Sequence, residues 1–107
     1  MTNAEVLKRL TETIENRKGG DADSSYTASL LSKGVKKIAQ KVGEESVETA
    51  IPAVSEDDAA LLGESADLIY HLMVLLAARD LTIDDVLATL ADREGLSGIA
   101  EKASRDN

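Results

Sequence analysis

The chain has 107 residues, no cysteine, and two tyrosines as its only aromatic residues, so disulfides and thiolate metal sites are excluded. Its formal net charge of -8 argues against a nucleic-acid-binding protein, which needs a basic surface to meet phosphates. The length suits a single domain, and a composition rich in Ala, Leu, Glu and Lys with one proline predicts an all-α fold.

Two helices are predicted near the start of the chain. Apolar residues at helical spacing predict a first helix over about 3–17, and Thr2 with Glu5 has the spacing of a capping box. After a polar, glycine-containing loop, Ser25 is placed to cap a short helix over 26–32.

The next two helices are long and are joined by a short turn. A third helix should run over about 35–54, with Pro52 kinking or ending it. Ser55, with an acidic residue three positions later, signals the start of a fourth helix over about 56–79. The second half of that helix is apolar on nearly all sides, which is typical of burial in a bundle or at a subunit interface.

A short helix and a polar tail close the chain. Thr82 is placed to cap a helix over about 83–93, with Leu87 and Leu90 among its inward-facing residues. The tail after about residue 95 is expected to be flexible.

Neither a secretory signal nor a membrane span is expected. The first residues are polar, and the most apolar run, 68–78, is about half as long as a span requires. A cytoplasmic protein without membrane contact is therefore expected. Because a small domain without large aromatic side chains gains core by associating with a second copy, we also expect a homo-oligomer.

Five carboxylates fall in two short blocks of the third and fourth helices. Glu45 and Glu48 are three residues apart, as are Glu64 and Asp67, so each pair lies on one helix face. Glu44 lies beside the first pair. Like charges at this spacing repel each other, and a bound cation is the simplest compensation.

Folding the two helices about residue 56 brings the two blocks together. Glu48 and Glu64 each lie eight residues from that position, and Glu45 and Asp67 each lie eleven. At about 1.5 Å per residue, the members of each pair sit at matching heights. Oxygen ligands alone suit Mg²⁺ or Mn²⁺ better than zinc. Spacing thus predicts a divalent-metal site, with solvated acidic helix faces as the alternative.

Longer strings carry a family resemblance. They are Ser25-Tyr26-Thr27, Leu30-Leu31, Lys33-Gly34, Lys41-Val42-Gly43-Glu44-Glu45-x-x-Glu48 and Asp67-Leu68-Ile69-Tyr70-His71-Leu72. Through these strings, residues 7–93 or so of the chain resemble the phosphoribosyl-ATP pyrophosphatase family of histidine biosynthesis. The E-E-x-x-E … E-x-x-D pattern is shared more widely with the MazG-like all-α nucleoside triphosphate pyrophosphatases.

The resemblance implies an activity and an architecture. The activity is Mg²⁺-dependent hydrolysis of phosphoribosyl-ATP to phosphoribosyl-AMP and pyrophosphate, the second step of L-histidine biosynthesis. The architecture is a single all-α domain over 1–107, a MazG-like bundle whose four-helix core is completed by dimerisation. The positions that match the family's metal ligands are Glu45, Glu48, Glu64 and Asp67.

Catalysis is assigned to Glu44, Glu45 and Glu48. Glu44 is either a further ligand or the base that orients an attacking water, with an ordinary exposed glutamate as the alternative. His71, four residues after Asp67 in the most apolar part of the chain, is expected to be a buried structural histidine.

Three lysines are candidates for binding substrate phosphates. Lys37 and Lys41 precede Glu45 on the same helix, and Lys33 stands beside a predicted helix boundary. The alternatives are ion pairs with Glu44 or Glu45, and a solvated Lys33.

Two other functions stay open. A house-cleaning pyrophosphatase for non-canonical nucleoside triphosphates would share the carboxylates without needing the Ser25-Tyr26-Thr27 string. A non-catalytic helical dimerisation module would carry the same acidic faces merely solvated.

Overall fold

A computed structural model of the chain describes residues 2–95, together with residues 102 and 105. Over this part the chain forms helices and no strand, which confirms the all-α prediction. The helices are α1 Asn3–Asn16, α2 Tyr26–Lys33, α3 Val35–Val54, α4 Asp58–Ala78 and α5 Ile83–Asp92. The predicted flexible tail lies almost entirely outside the described residues.

Two of the predicted N-caps are confirmed. The Ser25 hydroxyl oxygen accepts the Ala28 backbone N–H at 3.1 Å, and Thr82 forms a reciprocal capping box with Asp85. Thr2 occupies the N-cap position of α1 but makes no side-chain cap hydrogen bond, so the capping box predicted there is wrong.

The turn between α3 and α4 begins later than predicted. Ser55 does not start α4, because its backbone N–H still donates to Ile51 at 3.1 Å in the last turn of α3. Asp57 caps α4 instead, its carboxylate accepting a backbone N–H of the first turn at 3.1 Å. Between the two, Glu56 adopts the left-handed conformation with a φ of 63°, which reverses the chain.

A small core lies where α1 and α2 pack against the start of α3 and the end of α4. Its buried apolar residues are Ile14, Ala28, Leu30, Ile38, Met73, Val74 and Ala77. No residue of α5 is buried, and Leu87 and Leu90, predicted to face inward, are exposed. The reason is that α5 lies at the margin of the core. Ile83 is the one residue of α5 among the partly buried apolar residues that pack against the core cluster.

Beyond this core, residues 45–69 of α3 and α4 form a helical arm. It exposes a stripe of Val47, Ile51 and Val54 on α3, together with Leu62 and Ile69 on α4. Val54 is the most exposed of them, with 85% of the residue accessible. The arm therefore carries apolar surface that the described part of the chain leaves uncovered.

By length and composition alone, α4 is long and apolar enough to cross a membrane. It is the one such helix among the described residues. Core helices of soluble proteins pass the same test, so this is weak evidence for a span. The prediction of no membrane contact rested on the shorter run at 68–78.

Candidate metal centre

Three carboxylates meet between α3 and α4. One oxygen from each of Glu45, Glu48 and Glu64 lies within 4.8 Å of the other two. Glu45 is buried, Glu64 is partly buried and Glu48 is exposed, so this carboxylate cluster reaches from the interior to the surface. The structure thus brings together three of the four carboxylates selected as metal ligands.

Thr49 fixes the register of the two helices at the height of the carboxylate cluster. Its hydroxyl lies 2.8 Å from the Glu45 carbonyl oxygen on its own helix and 3.1 Å from the Glu64 carbonyl oxygen on α4. A threonine hydroxyl commonly bonds the carbonyl four residues back, and here it also reaches the neighbouring helix. The contact of Thr49 with α4 was not predicted from the sequence. The available signal was the position of Thr49 next to Glu48.

Two buried oxygens of the carboxylate cluster, Glu45 Oε2 and Glu64 Oε2, have no hydrogen-bond partner. Burial is the first cause that raises the pKa of Glu45, and the charge of Glu48 adds to it. Buried acceptors without a donor are unfavourable, and a cation would compensate them. An all-carboxylate donor set with an exposed member fits Mg²⁺ or Mn²⁺ and leaves room for waters.

Asp67, the fourth selected ligand, does not join this group. Its side chain is exposed, and its charge makes only a smaller contribution to the raised pKa of Glu45. An aspartate is one methylene shorter than a glutamate, so from this place on α4 its carboxylate reaches less far towards α3. Its backbone carbonyl instead accepts a hydrogen bond from His71 Nδ1 at 2.7 Å.

Glu44 also lies outside the carboxylate cluster and is tied to its own helix. Gln40 Nε2 donates to its carboxylate at 3.1 Å, and Lys41 Nζ lies 3.5 Å from it. The hydrogen bond from Gln40, followed by the charge of Lys41, lowers the pKa of Glu44. A carboxylate with a lowered pKa is a weaker proton acceptor, which disfavours Glu44 as a general base.

The three selected lysines lie at different distances along the chain from Glu45. Lys41 precedes it by one helical turn and forms the ion pair with Glu44. Lys37, exposed and one turn further back, adds a smaller contribution to the lowered pKa of Glu44. Lys33 is exposed in the last turn of α2, twelve residues before Glu45. Lys41 is therefore the best placed of the three to act with the carboxylate cluster.

His71 is buried, as expected, and takes part in an aromatic cluster with both tyrosines. Its Nε2 lies 3.1 Å from the Tyr26 hydroxyl, and the Tyr70 hydroxyl bonds to Thr27. Ring centroids are 5.0 Å apart for Tyr70 and His71 and 6.2 Å apart for the two tyrosines. These residues belong to the sequence strings that carry the family resemblance. Their contact was not predicted, because no spacing rule brings together residues 26 and 71, which are 45 positions apart.

Comparison with known proteins identifies relatives of the chain. The family model described as Phosphoribosyl-ATP pyrophosphohydrolase matches residues 7–94. A protein of Novosphingobium aromaticivorans named Phosphoribosyl-ATP pyrophosphatase is 59% identical over 107 residues, which is 100% of both chains. Proteins with the same name from a strain of Cereibacter sphaeroides and from Dinoroseobacter shibae are each 60% identical over 100 residues. These matches cover 94% of this chain and 97% and 98% of the two relatives, respectively.

Proposed function

The chain belongs to the phosphoribosyl-ATP pyrophosphohydrolase family, and we propose that it hydrolyses phosphoribosyl-ATP to phosphoribosyl-AMP and pyrophosphate in L-histidine biosynthesis. The observation that carries this proposal is an identity of 59% that extends over all 107 residues. Convergence of Glu45, Glu48 and Glu64 supports it, because hydrolysis of a triphosphate needs a place where cations meet phosphate oxygens.

We further propose that Mg²⁺, with Mn²⁺ as a substitute, is held by Glu45, Glu48 and Glu64, with Asp67 adding negative charge at the edge. The two unpartnered buried oxygens support this assignment. A bound Mg²⁺ would neutralise phosphate charge and lower the pKa of a bound water that attacks at the α–β phosphate bond.

We assign separate roles in binding and positioning to four residues of the chain. Glu45, buried and fixed by α3, anchors the carboxylate cluster, while the exposed Glu48 faces the side from which the substrate arrives. Lys41 places a cation one turn from Glu45, where it meets a phosphate oxygen as a point charge. Glu44 orients Lys41 through their ion pair, and this is the catalytic contribution that we assign to it.

A homodimer in the cytoplasm is the assembly that we propose. The uncovered stripe of Val47, Ile51 and Val54 supports it, because large exposed apolar patches mark interaction surfaces. Two helical arms packed through these stripes would form a four-helix core from two copies. A second copy of the chain supplies the same self-complementary surface that a two-fold interface requires.

A substrate panel tests the proposed activity. Purified protein with Mg²⁺ is incubated with phosphoribosyl-ATP, ATP and canonical and non-canonical deoxynucleoside triphosphates, and products are identified by mass. We expect phosphoribosyl-AMP and pyrophosphate in equal amounts, with kcat/KM highest for phosphoribosyl-ATP. Higher kcat/KM for non-canonical triphosphates would instead indicate a house-cleaning pyrophosphatase. Inactivity on every substrate, with no Mg²⁺ binding by calorimetry, would indicate a non-catalytic module.

A further inference from the structure

Within the described residues, one direct hydrogen bond joins α3 to α4, and it lies at the carboxylate cluster. The Thr49 hydroxyl lies 3.1 Å from the Glu64 carbonyl oxygen on α4 and 2.8 Å from the Glu45 carbonyl oxygen on its own helix. No ion pair of the described side chains connects the two helices. The direct polar link between α3 and α4 therefore coincides with the place where their carboxylates meet.

Both carbonyl groups belong to residues that supply the more deeply buried carboxylates of the carboxylate cluster. Glu45 and Glu64 each have a buried carboxylate oxygen without a hydrogen-bond partner. A hydroxyl carries one hydrogen, and two acceptors can share it in a three-centre bond. Thr49 thus holds the backbone of Glu45 against the backbone of Glu64 while touching neither carboxylate.

In the absence of a cation, the charges of the carboxylate cluster oppose this arrangement. Three carboxylates whose oxygens lie within 4.8 Å of one another repel when charged, and partial burial weakens the screening by water. Such repulsion drives the two helices apart, and the hydrogen bond of Thr49 opposes the separation. Because Mg²⁺ demands near-ideal octahedral geometry, a fixed separation of the helices favours its binding.

We propose that Thr49 is a positioning residue: its hydroxyl sets the separation of α3 and α4, so that Glu45 and Glu64 hold their carboxylates at the spacing a divalent cation needs. This inference rests on the proposed function, in which the carboxylate cluster binds Mg²⁺. Removing a group that orients metal ligands typically weakens metal binding by about tenfold to a hundredfold. Since Thr49 acts through the backbone, we expect the lower end of that range.

Thr49→Val keeps the shape of the side chain and removes the hydroxyl. A methyl group needs more room beside a carbonyl oxygen than a hydroxyl that donates to it, so α4 should shift away from α3 at this height. Titration with Mn²⁺, in which electron paramagnetic resonance measures the free ion, should show binding about tenfold weaker than in the wild type. Thr49→Ser, which keeps the hydroxyl, should bind Mn²⁺ nearly as tightly as the wild type.

Thr11→Val is the matched control. Thr11 on α1 is also partly buried, and its hydroxyl donates to the Leu7 carbonyl four residues back at 2.9 Å, with no second partner among the described residues. The control variant loses the same kind of helical hydrogen bond and should keep the wild-type affinity for Mn²⁺. Equal affinity in Thr49→Val and the wild type, or an equal loss in Thr11→Val, would overturn the proposal.

Thermal unfolding in EDTA separates positioning from folding. If Thr49 only stabilised the fold, Thr49→Val would have a lower Tm, and the folded variant would bind Mn²⁺ as the wild type does. That pair of results would contradict the proposal. A weaker affinity in the folded Thr49→Val protein, restored in Thr49→Ser, would support it.

Turnover separates this role of Thr49 from the proposed activity. The Mg²⁺ concentration that gives half-maximal hydrolysis should rise by about tenfold in Thr49→Val, with kcat nearly unchanged at saturating Mg²⁺. If the wild type does not hydrolyse phosphoribosyl-ATP but the difference in Mn²⁺ binding is observed, the proposed activity fails and the role of Thr49 stands. A wild type that binds neither Mn²⁺ nor Mg²⁺ would refute both.

Discussion

The buried carboxylate of Glu45 is unfavourable for folding, yet it lies in the proposed metal site. Its carboxylate is buried, has an oxygen without a partner, and lies near the charge of Glu48. These features raise its pKa, so in the absence of a cation the charged form is less favourable in the folded protein than in the unfolded chain. Charged Glu45 therefore destabilises the fold when no cation is bound.

Glu45→Gln should stabilise the metal-free protein. A carboxyl group with a raised folded pKa contributes stability that is fully present below its unfolded pKa, about 4.5, and is lost as pH rises through the folded pKa. In EDTA at pH 7 the variant should thus have a higher Tm than the wild type, and the difference should shrink towards pH 4. Mg²⁺ should raise the Tm of the wild type alone. A lower Tm for the variant in EDTA would refute the assigned burial cost.

At the scale of the elements, the turn between α3 and α4 sets the height at which the carboxylates meet. Spacing about residue 56 correctly paired Glu48 with Glu64, because the turn is short and both helices are regular. It also paired Glu45 with Asp67, but the structure leaves Asp67 outside the carboxylate cluster, since equal helical height does not fix how far a shorter side chain reaches. Which residue caps α4 was likewise open in the sequence, because Ser55 and Asp57 are both good N-caps.

Replacing Ser55 and Asp57 one at a time by alanine shows which of the two caps α4. Asp57→Ala removes the cap of α4 and should lower the free energy of unfolding by about 1 kcal/mol. Ser55→Ala removes a hydroxyl that only donates to the Pro52 carbonyl at 3.3 Å, so it should cost less than about 0.5 kcal/mol. Urea unfolding measures both. A larger loss in Ser55→Ala would mean that the helix begins where the sequence first suggested.

The described part of one chain leaves apolar surface uncovered. The core contains few large side chains, no residue of α5 is buried, and the helical arm leaves its apolar stripe exposed. Composition alone indicated a second copy, and helical periodicity gave the correct elements. Tertiary contacts between distant residues, such as Tyr26 with His71 and Thr49 with Glu64, have no local signature and were not predictable.

Ile51→Lys should break the proposed dimer. The variant places a charge in the middle of the exposed stripe of α3, where burial against a second copy would leave it without a partner. Sedimentation should give twice the monomer mass for the wild type and the monomer mass for the variant. Glu12→Gln on α1, an exposed change of the same sign in net charge, should remain dimeric. A monomeric wild type would contradict the interface.

We propose that the carboxylate cluster of α3 and α4 performs a metal-dependent hydrolysis, and one assay tests this directly. Pyrophosphate release from phosphoribosyl-ATP is measured in Mg²⁺ and in EDTA for the wild type and Glu48→Gln, with Glu12→Gln as a control. We expect turnover by the wild type and the control only in Mg²⁺, and a loss of at least about a hundredfold in kcat for Glu48→Gln. Equal turnover by Glu48→Gln, or wild-type turnover that persists in EDTA, would contradict it.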